Sequence, residues 1–144
     1  MKEKFKSLYM DWAARTARLS HAKRLQVGAV IVKDDSVISY GYNGMPAGWE
    51  NNCEDEIRYP DAEGVTLKTK PEVLHAESNA IAKLARSINS GNGADIFITH
   101  APCLDCAKLV YQAGIKRVYF GTAYRDDAGI RFLERSGVTV EQIK

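Results

Sequence analysis

The sequence predicts an α/β fold, a three-layer α/β/α sandwich around a mixed five-stranded sheet, formed by one domain that covers residues 1–144. Two β-branched runs joined by a polar turn predict an antiparallel hairpin in the first third of the chain. From residue 95 onward, strand, helix, strand, helix and strand alternate, which indicates parallel pairing with right-handed crossovers. The length of 144 residues suits one domain that buries roughly 70% of its unfolded surface.

The first half of the chain begins with a helical pattern. Apolar side chains recur at spacings of three and four over residues 3–19, which is the period of an amphipathic helix. Residues 27–32 and 37–42 are the predicted strands of the hairpin, and the polar residues 33–36 turn between them. Residues 43–74 hold three of the four prolines and show no periodicity, so we expect a long irregular segment, which in compact domains is usually functional or mobile.

The second half alternates helical and strand patterns. A helix is predicted over residues 75–89, because apolar residues share one face, and the glycine-containing segment 90–94 ends it. The remaining predicted elements are a strand at 95–99, a helix at 103–113, a strand at 116–120, a helix at 126–136 and a strand at 138–143. Gly114 and Gly137 follow two of these helices and are typical of helix ends.

Charge and hydropathy argue against several classes of protein. The formal net charge is +2 and the basic residues are scattered, so we expect no long nucleic acid as a partner, although a local patch could hold one phosphate. No run approaches 18 apolar residues and the chain begins with charged residues, so we expect neither a membrane span nor secretion. Two of the three cysteines form a C-x-x-C motif, which without a signal peptide favours a metal site over a disulfide.

Two short motifs 25 residues apart predict a catalytic zinc site. The imidazole of His75 and the thiolates of Cys103 and Cys106 provide three protein ligands, which leaves the fourth tetrahedral position open for water. His75 and Cys103 begin predicted helices, whose N-terminal partial charge favours thiolate, and the i, i+3 cysteines share one helix face. The C-x-x-C motif alone is equally typical of a structural zinc knuckle or a redox pair, and H-x-E alone is usually coincidence. Their combination favours one catalytic Zn²⁺ per chain.

Glu77 completes the first motif, two residues after His75. A glutamate on a helix surface is most often simply solvated, and a structural zinc site has no use for a carboxylate beside it. The combined pattern, H-x-E followed by P-C-x-x-C, is the signature of zinc deaminases. Deamination of cytosine requires that a proton leave water, reach ring N3 and later reach the departing amine, and one carboxylate can serve all three transfers.

Five segments, residues 27–32, 41–48, 75–81, 101–107 and 112–116, carry a family resemblance, and they include the patterns G-Y-N-G-x-P-x-G and H-A-E-x-N-A-I. Through these segments nearly the whole chain resembles the deoxycytidylate (dCMP) deaminases of the cytidine deaminase superfamily, particularly the small phage and bacterial forms. The zinc motifs mark the superfamily, whereas the two patterns point to the nucleotide enzymes.

The resemblance implies an activity and a setting. It implies hydrolysis of dCMP to dUMP and ammonia, supplying dUMP for thymidylate synthesis in the cytoplasm, or in the host cytoplasm if a phage encodes the chain. It also implies a homo-oligomer, often a hexamer, with dCTP as activator and dTTP as inhibitor. A triphosphate effector could bring Mg²⁺ with it.

The resemblance assigns roles to individual residues as well. His75, Cys103 and Cys106 match the zinc ligands, and Glu77 matches the proton shuttle. Asn43 matches a position that hydrogen-bonds the nucleoside sugar, for which an amide offers both donor and acceptor; the less favoured alternative is a turn residue before Gly44. The other candidate substrate contacts are Ala76, Ala101, Tyr124, Ser20 and Arg24. Tyr124, with Arg125 beside it, follows the fourth predicted strand, where these enzymes close over the base or its phosphate, but it could nearly equally be a loop aromatic. Ser20, Lys23 and Arg24 precede the first strand and are candidates for the 5′-phosphate, although exposed Lys and Arg are usually just solvated.

Residues Gly44, Met45, Pro46 and Gly48 resemble the family's regulatory nucleotide site. Glycines let backbone N–H groups approach phosphates closely, but they also simply form turns.

The chain departs from the family at two places. His100 stands where relatives commonly carry a Leu- or Phe-like residue, and it could be an additional polar contact near the pocket. Cys53 is the only cysteine left over for the second zinc that some relatives carry, so we expect no second zinc.

Three functional classes remain open from the sequence. The first is a deaminase of free nucleotides. The second is a deaminase of tRNA or single-stranded DNA, which the weak charge bias and the G-Y-N-G-x-P segment disfavour. The third is a non-enzymatic zinc-binding module, in which Glu77 would be dispensable.

Overall fold

The computed structural model describes residues 1–61 and 63–143. Its helices are α1 (Glu3–Ala17), α2 (Ala76–Ala85), α3 (Leu104–Gln112) and α4 (Ala128–Arg135). Its strands are β1 (Gly28–Lys33), β2 (Ser36–Tyr42), β3 (Glu54–Ile57), β4 (Thr66–Thr69), β5 (Asp95–His100), β6 (Arg117–Thr122) and β7 (Thr139–Gln142). Among the described residues no helix combines the length and the apolar character needed to cross a membrane.

The main sheet has five strands in the order β2-β1-β5-β6-β7. The pairs β2–β1 and β1–β5 are antiparallel, and β5–β6 and β6–β7 are parallel. The predicted hairpin and the predicted βαβαβ unit therefore join at β1 and β5, and the mixed five-stranded sheet is confirmed.

Alternation along the strands separates the core into two layers. Val30, Phe97 and Tyr119 lie in register and pack against α1, with the Phe97 and Tyr119 rings stacked at 4.5 Å between centroids. The residues next to them point to the other face, where they pack against α2, α3 and α4. One helix on one face and three on the other give the predicted three-layer sandwich.

Residues 43–74, which we expected to be irregular throughout, contain a second sheet. Strands β3 and β4 pair antiparallel, with Glu54 opposite Thr69, and form a two-stranded sheet of their own. The sequence signal is weak because neither strand has a β-branched run and most of its side chains are exposed. The hairpin is held instead by the small cluster of Ala22, Cys53 and Val73, against which Met45 packs.

The predicted helix boundaries extend beyond the observed ones. The first helix ends at Ala17 rather than at residue 19, and the second at Ala85 rather than at residue 89. Ser87 bonds back to the carbonyl oxygen of Leu84 through its side chain and its backbone N–H, which closes the last turn of α2.

Two glycines allow the elements around the site to approach closely. A Cβ atom at Gly41 in β2 would collide with the carbonyl oxygen of Ala76, at the start of α2. A Cβ atom at Gly129 in α4 would collide with the carbonyl oxygen of Pro102 and with the backbone of Cys103. Both helix starts that carry the predicted metal ligands are thus packed directly against glycine backbone.

Candidate metal centre and active-site cavity

The fold brings the starts of α2 and α3 together. His75 and Cys103 are the N-cap residues of these helices, both in extended conformations, and Cys106 lies in the first turn of α3. The ligand atoms of these three residues all lie within 4.8 Å of one another. In the described part of the chain, no other group of three histidine, cysteine or acidic side chains converges in this way.

The separations between the ligand atoms suit a zinc ion. His75 Nδ1 lies 3.2 Å from Cys106 Sγ and 3.7 Å from Cys103 Sγ. Tetrahedral zinc with bonds of about 2.0 Å to nitrogen and about 2.3 Å to sulfur requires N···S separations of roughly 3.5 Å. Two sulfurs and one imidazole are also the donor set that zinc prefers, and three protein ligands leave one position open.

Hydrogen bonding within the cluster favours negative charge on sulfur. The pKa of Cys103 falls to about 4, because its thiolate accepts hydrogen bonds from Cys106 and His75. The shared hydrogen bond with Cys103 and burial raise the pKa of Cys106, and the Cys103 thiolate raises the pKa of His75. The cluster shares protons in the positions where a metal cation would replace them.

Glu77 lies in the first turn of α2 and is 4% exposed. Burial raises the pKa of its carboxyl to about 7, and the neighbouring Cys103 contributes in the same direction. A group with a pKa near neutrality can both accept and donate a proton, which is the property that general acid–base catalysis needs.

A cavity of about 480 Å³ opens beside the cluster, a size typical of small-molecule sites. The segment 22–27, the β3–β4 hairpin and the loop after β6 form the walls away from the helix starts. The predicted residues that line it are Arg24, Asn43, His75, Ala76, Glu77, Ala101, Cys103 and Tyr124. Ala76 and Ala101 are buried beside the metal ligands, whereas Tyr124 is 42% exposed.

Asn43 is held rigidly by the backbone of the segment before β1. Its Oδ1 accepts from the Val27 N–H at 2.9 Å, and its Nδ2 donates to the Leu25 carbonyl oxygen at 2.8 Å. An amide has two N–H donors and two acceptor lone pairs, so one of each remains for a ligand.

Ser20, a predicted phosphate contact, is not among the residues that line the cavity. It is buried, its hydroxyl donates to the Asn43 carbonyl oxygen at 2.7 Å, and it accepts from the Ala22 N–H at 3.1 Å. In the structure Ser20 therefore braces Asn43, because both its donor and an acceptor site are satisfied within the chain.

The predicted effector residues also lie outside the cavity lining. Gly44 exchanges two backbone hydrogen bonds with Leu74, the residue before His75. Met45 packs on the hairpin cluster, and Gly48 has a φ of +85°. The segment is connected to the metal site through Leu74, and it does not form the wall of the cavity.

Two polar side chains of the hairpin, Glu54 and Thr69, line the cavity and were not assigned from the sequence. Arg125, which follows Tyr124 in the loop after β6, also lines it, as its predicted place beside Tyr124 implies. The hairpin residues lie in a segment without a periodic pattern, so no sequence signal placed them beside the zinc motifs. His100 also lines the cavity, where burial lowers its pKa and its Nδ1 lies 2.9 Å from Thr99 Oγ1.

Cys53 is buried in the hairpin cluster and is not part of the convergent ligand group. Burial raises the pKa of its thiol. This placement gives the described residues one candidate metal centre.

The fold and the site together are typical of metal-dependent hydrolases, because three converging side chains could hold a metal and leave one position open, with a buried carboxylate beside them. Residues 3–122 match the model of the cytidine and deoxycytidylate deaminase zinc-binding region. ComE operon protein 2 of Bacillus subtilis is 41% identical over 139 residues, which is 94% of this chain and 69% of that protein. The chain belongs to the cytidine and deoxycytidylate deaminase family.

Three further comparisons show how far the similarity extends. The deoxycytidylate deaminase of Saccharomyces cerevisiae is 33% identical over 99% of this chain, which spans only 46% of the yeast protein. A crystal structure of dCMP deaminase from the cyanophage S-TIM5, in complex with dCMP and dUMP, matches 99% of both chains with a TM-score of 0.88 and 42% identity. A tRNA:A34 deaminase structure, at 24% identity and a TM-score of 0.64, shares the fold alone.

Proposed function

We propose that the chain hydrolyses dCMP to dUMP and ammonia, with one zinc ion held by His75, Cys103 and Cys106. The observation that carries this proposal is the near-complete match to a cyanophage enzyme in complex with dCMP and dUMP. The cavity supports it, because it joins the three-ligand cluster to two arginines, Arg24 and Arg125.

The chain's own residues divide the work of the reaction. When bound, zinc acts as a Lewis acid that lowers the pKa of water toward about 7. Glu77 would accept one proton of the attacking water and give it to ring N3 of the base. It would then carry the second proton of that water to the amino group, which leaves as ammonia when the C4–O bond has formed and the C4–N bond breaks. Its burial and its pKa near neutrality suit both directions of transfer.

The remaining lining residues bind the nucleotide. The small, buried Ala76 and Ala101 lie beside the metal ligands, and the base occupies the space they leave. The free N–H of Asn43 donates to an oxygen of the sugar, and Tyr124 closes the cavity over the nucleotide. Arg24 donates one N–H to Thr69 Oγ1 at 3.1 Å, and its other donors are available to the 5′-phosphate together with those of Arg125.

Regulation and assembly form a second part of the proposal. The segment from Gly44 to Gly48 binds dCTP or dTTP, with Mg²⁺ on the triphosphate, and acts on the site through the Gly44–Leu74 pair. A homo-oligomer, a hexamer by family resemblance, acts in the cytoplasm. Exposed apolar side chains on α1 and α3, which include Leu8, Trp12 and Leu109, support association of subunits.

Ammonia release from a panel of substrates tests the proposal. The panel contains cytidine, deoxycytidine, CMP, dCMP, dCTP and a cytosine-containing oligonucleotide. We expect dCMP to have the highest kcat/KM, with no turnover by a matched Glu77→Gln sample. Preferred turnover of the oligonucleotide would identify a polynucleotide deaminase, and unfolding on zinc removal with no turnover of any substrate would identify a structural zinc module.

A further inference from the structure

One carboxylate in the cavity has an oxygen without a partner. Glu54 lines the cavity and is 3% exposed. Its Oε2 accepts from the backbone N–H groups of Lys23 at 2.9 Å and Arg24 at 3.1 Å. Its Oε1 is buried and has no hydrogen-bond partner among the described residues. No described cation forms an ion pair with it.

In the absence of a ligand, this arrangement costs folding free energy. A buried carboxylate oxygen without a donor loses its hydration and gains nothing in return. The two backbone donors fix the orientation of the carboxylate, so Oε1 cannot easily turn away. An acceptor that is fixed in place in a ligand cavity indicates a donor on the ligand.

The chemistry of the proposed substrate identifies that donor. At slightly alkaline pH the phosphate of dCMP has lost both protons, because its second pKa is about 6. The remaining donors are the 4-amino group, which reacts at the zinc centre, and the 3′-hydroxyl of the sugar. Glu54 is not part of the converging ligand group where the amino group reacts, so we expect the amino group not to be the partner of Glu54.

We propose that Glu54 Oε1 accepts a hydrogen bond from the 3′-hydroxyl of the substrate and thereby selects nucleotides with a free 3′ end. This inference rests on the proposed function. A 3′-phosphate has no proton to donate and places negative charge next to a buried carboxylate. Glu54 therefore excludes a polynucleotide chain, in addition to binding the mononucleotide.

The test compares three compounds, dCMP, 2′,3′-dideoxy-CMP and deoxycytidine 3′,5′-bisphosphate, on the zinc-loaded wild type at pH 8. Loss of a hydroxyl from a site built to bind it reduces kcat/KM strongly, and we expect at least a ~100-fold loss for the dideoxy compound. The bisphosphate is expected to lose at least as much. Equal kcat/KM values for dCMP and the dideoxy compound would overturn the proposal, and this comparison needs only the wild-type protein.

The variant Glu54→Gln adds a second, independent readout. Its amide oxygen keeps the two backbone hydrogen bonds, and its NH₂ group replaces Oε1 without charge. We expect the discrimination between dCMP and the bisphosphate to shrink at least ~10-fold. The matched control is Glu56→Gln, an exposed glutamate of the same strand that does not line this cavity. An unchanged ratio in Glu54→Gln, or an equal change in Glu56→Gln, would contradict the proposal.

Equilibrium binding separates this proposal from the proposed function. Calorimetric Kd values for the three compounds are measured on the same proteins. If dCMP binds in preference to the dideoxy compound but releases no ammonia, the proposed function fails and the Glu54 proposal holds. If ammonia is released and the 3′ group changes neither Kd nor kcat/KM, the Glu54 proposal fails and the function holds. If Glu54→Gln melts well below the control, the wild-type comparison decides.

Discussion

At the scale of the residue, burial determines what each polar side chain of the cavity can do. The carboxylates of Glu77 and Glu54 are both almost fully buried, at 4% and 3% exposure. Glu77 lies beside the ligand cluster, where its raised pKa of about 7 suits proton transfer. Glu54 is fixed by two backbone donors and has an acceptor to offer to a ligand.

Replacing Glu77 by Gln tests its part in the reaction. The amide keeps the volume of the side chain and cannot carry a proton between water, ring N3 and the amine. We expect zinc content and melting temperature to stay near wild type while turnover falls by at least ~10²-fold, the low end for a positioned acid–base group. Turnover within a few-fold of wild type would remove Glu77 from the mechanism.

Arg24 and Ser20 were both predicted from the sequence as phosphate contacts, but the structure leads us to expect different effects when they are replaced. Arg24→Gln removes a cation that lines the cavity, so we expect KM for dCMP to rise at least ~10-fold while KM for deoxycytidine changes little. The control is Arg18→Gln, an exposed arginine beyond the end of α1.

Ser20→Ala removes the hydrogen bond to the Asn43 carbonyl oxygen instead. We expect a loss of about 1 kcal/mol in the free energy of unfolding, measured by urea denaturation. A selective increase in KM for dCMP over deoxycytidine in this variant would return Ser20 to the phosphate site.

At the scale of the element, the site depends on where two helices begin. The N-cap positions of α2 and α3 present His75 and Cys103 to each other, and close glycine contacts fix both helix starts. Both N-cap residues have extended backbone conformations, and their ligand atoms converge with that of Cys106. The geometry of the metal centre is therefore a property of packing between β2, α2, α3 and α4.

Gly129→Ala tests this dependence. Helix propensity alone predicts that alanine stabilises α4 by about 1 kcal/mol. The new Cβ atom, however, meets the carbonyl oxygen of Pro102 and the backbone of Cys103. We expect zinc affinity to fall roughly 10–100-fold, as for other changes that disturb ligand orientation.

Competition with a chromogenic chelator measures that affinity, with Arg135→Ala at the exposed end of α4 as control. Unchanged zinc affinity together with a higher melting temperature in Gly129→Ala would show that the position of Cys103 does not depend on this contact.

The strongly periodic elements and the convergence of three candidate metal ligands could be predicted from the sequence. The runs at β1 and β5 are apolar enough to identify, and the spacing of His75, Cys103 and Cys106 predicts the ligand group that the fold assembles. The β3–β4 hairpin could not be predicted, because its stability comes from a few side chains contributed by distant segments. Glu54 was missed for the same reason.

At the scale of the whole molecule, the segment from Gly44 to Gly48 contacts both the hairpin cluster, through Met45, and the residue that precedes His75. The backbone pair between Gly44 and Leu74 lies one residue before His75. A ligand on this segment can bias substrate binding if its affinity differs between two arrangements of the segment or of the subunits.

We expect dCTP to lower and dTTP to raise the apparent KM for dCMP, within the roughly 5–150-fold range of typical coupling. Gly44→Val is a suitable probe, because a Cβ atom at Gly44 meets nothing within 4 Å in the subunit and its backbone needs no glycine-specific conformation. We expect this variant to lose the response and to keep its basal rate. Wild-type kinetics that change with either triphosphate only by simple competition would contradict the regulatory proposal.

The central claim is that one zinc ion on His75, Cys103 and Cys106 is required for deamination of dCMP. The most direct measurement is ammonia release from dCMP after verified removal of the metal, followed by stepwise return of zinc with the metal content determined at each step. The account predicts that activity disappears on removal and returns in proportion to zinc, reaching its maximum at one equivalent per chain. Full activity in the metal-free chain, or a maximum that requires two equivalents, would contradict it.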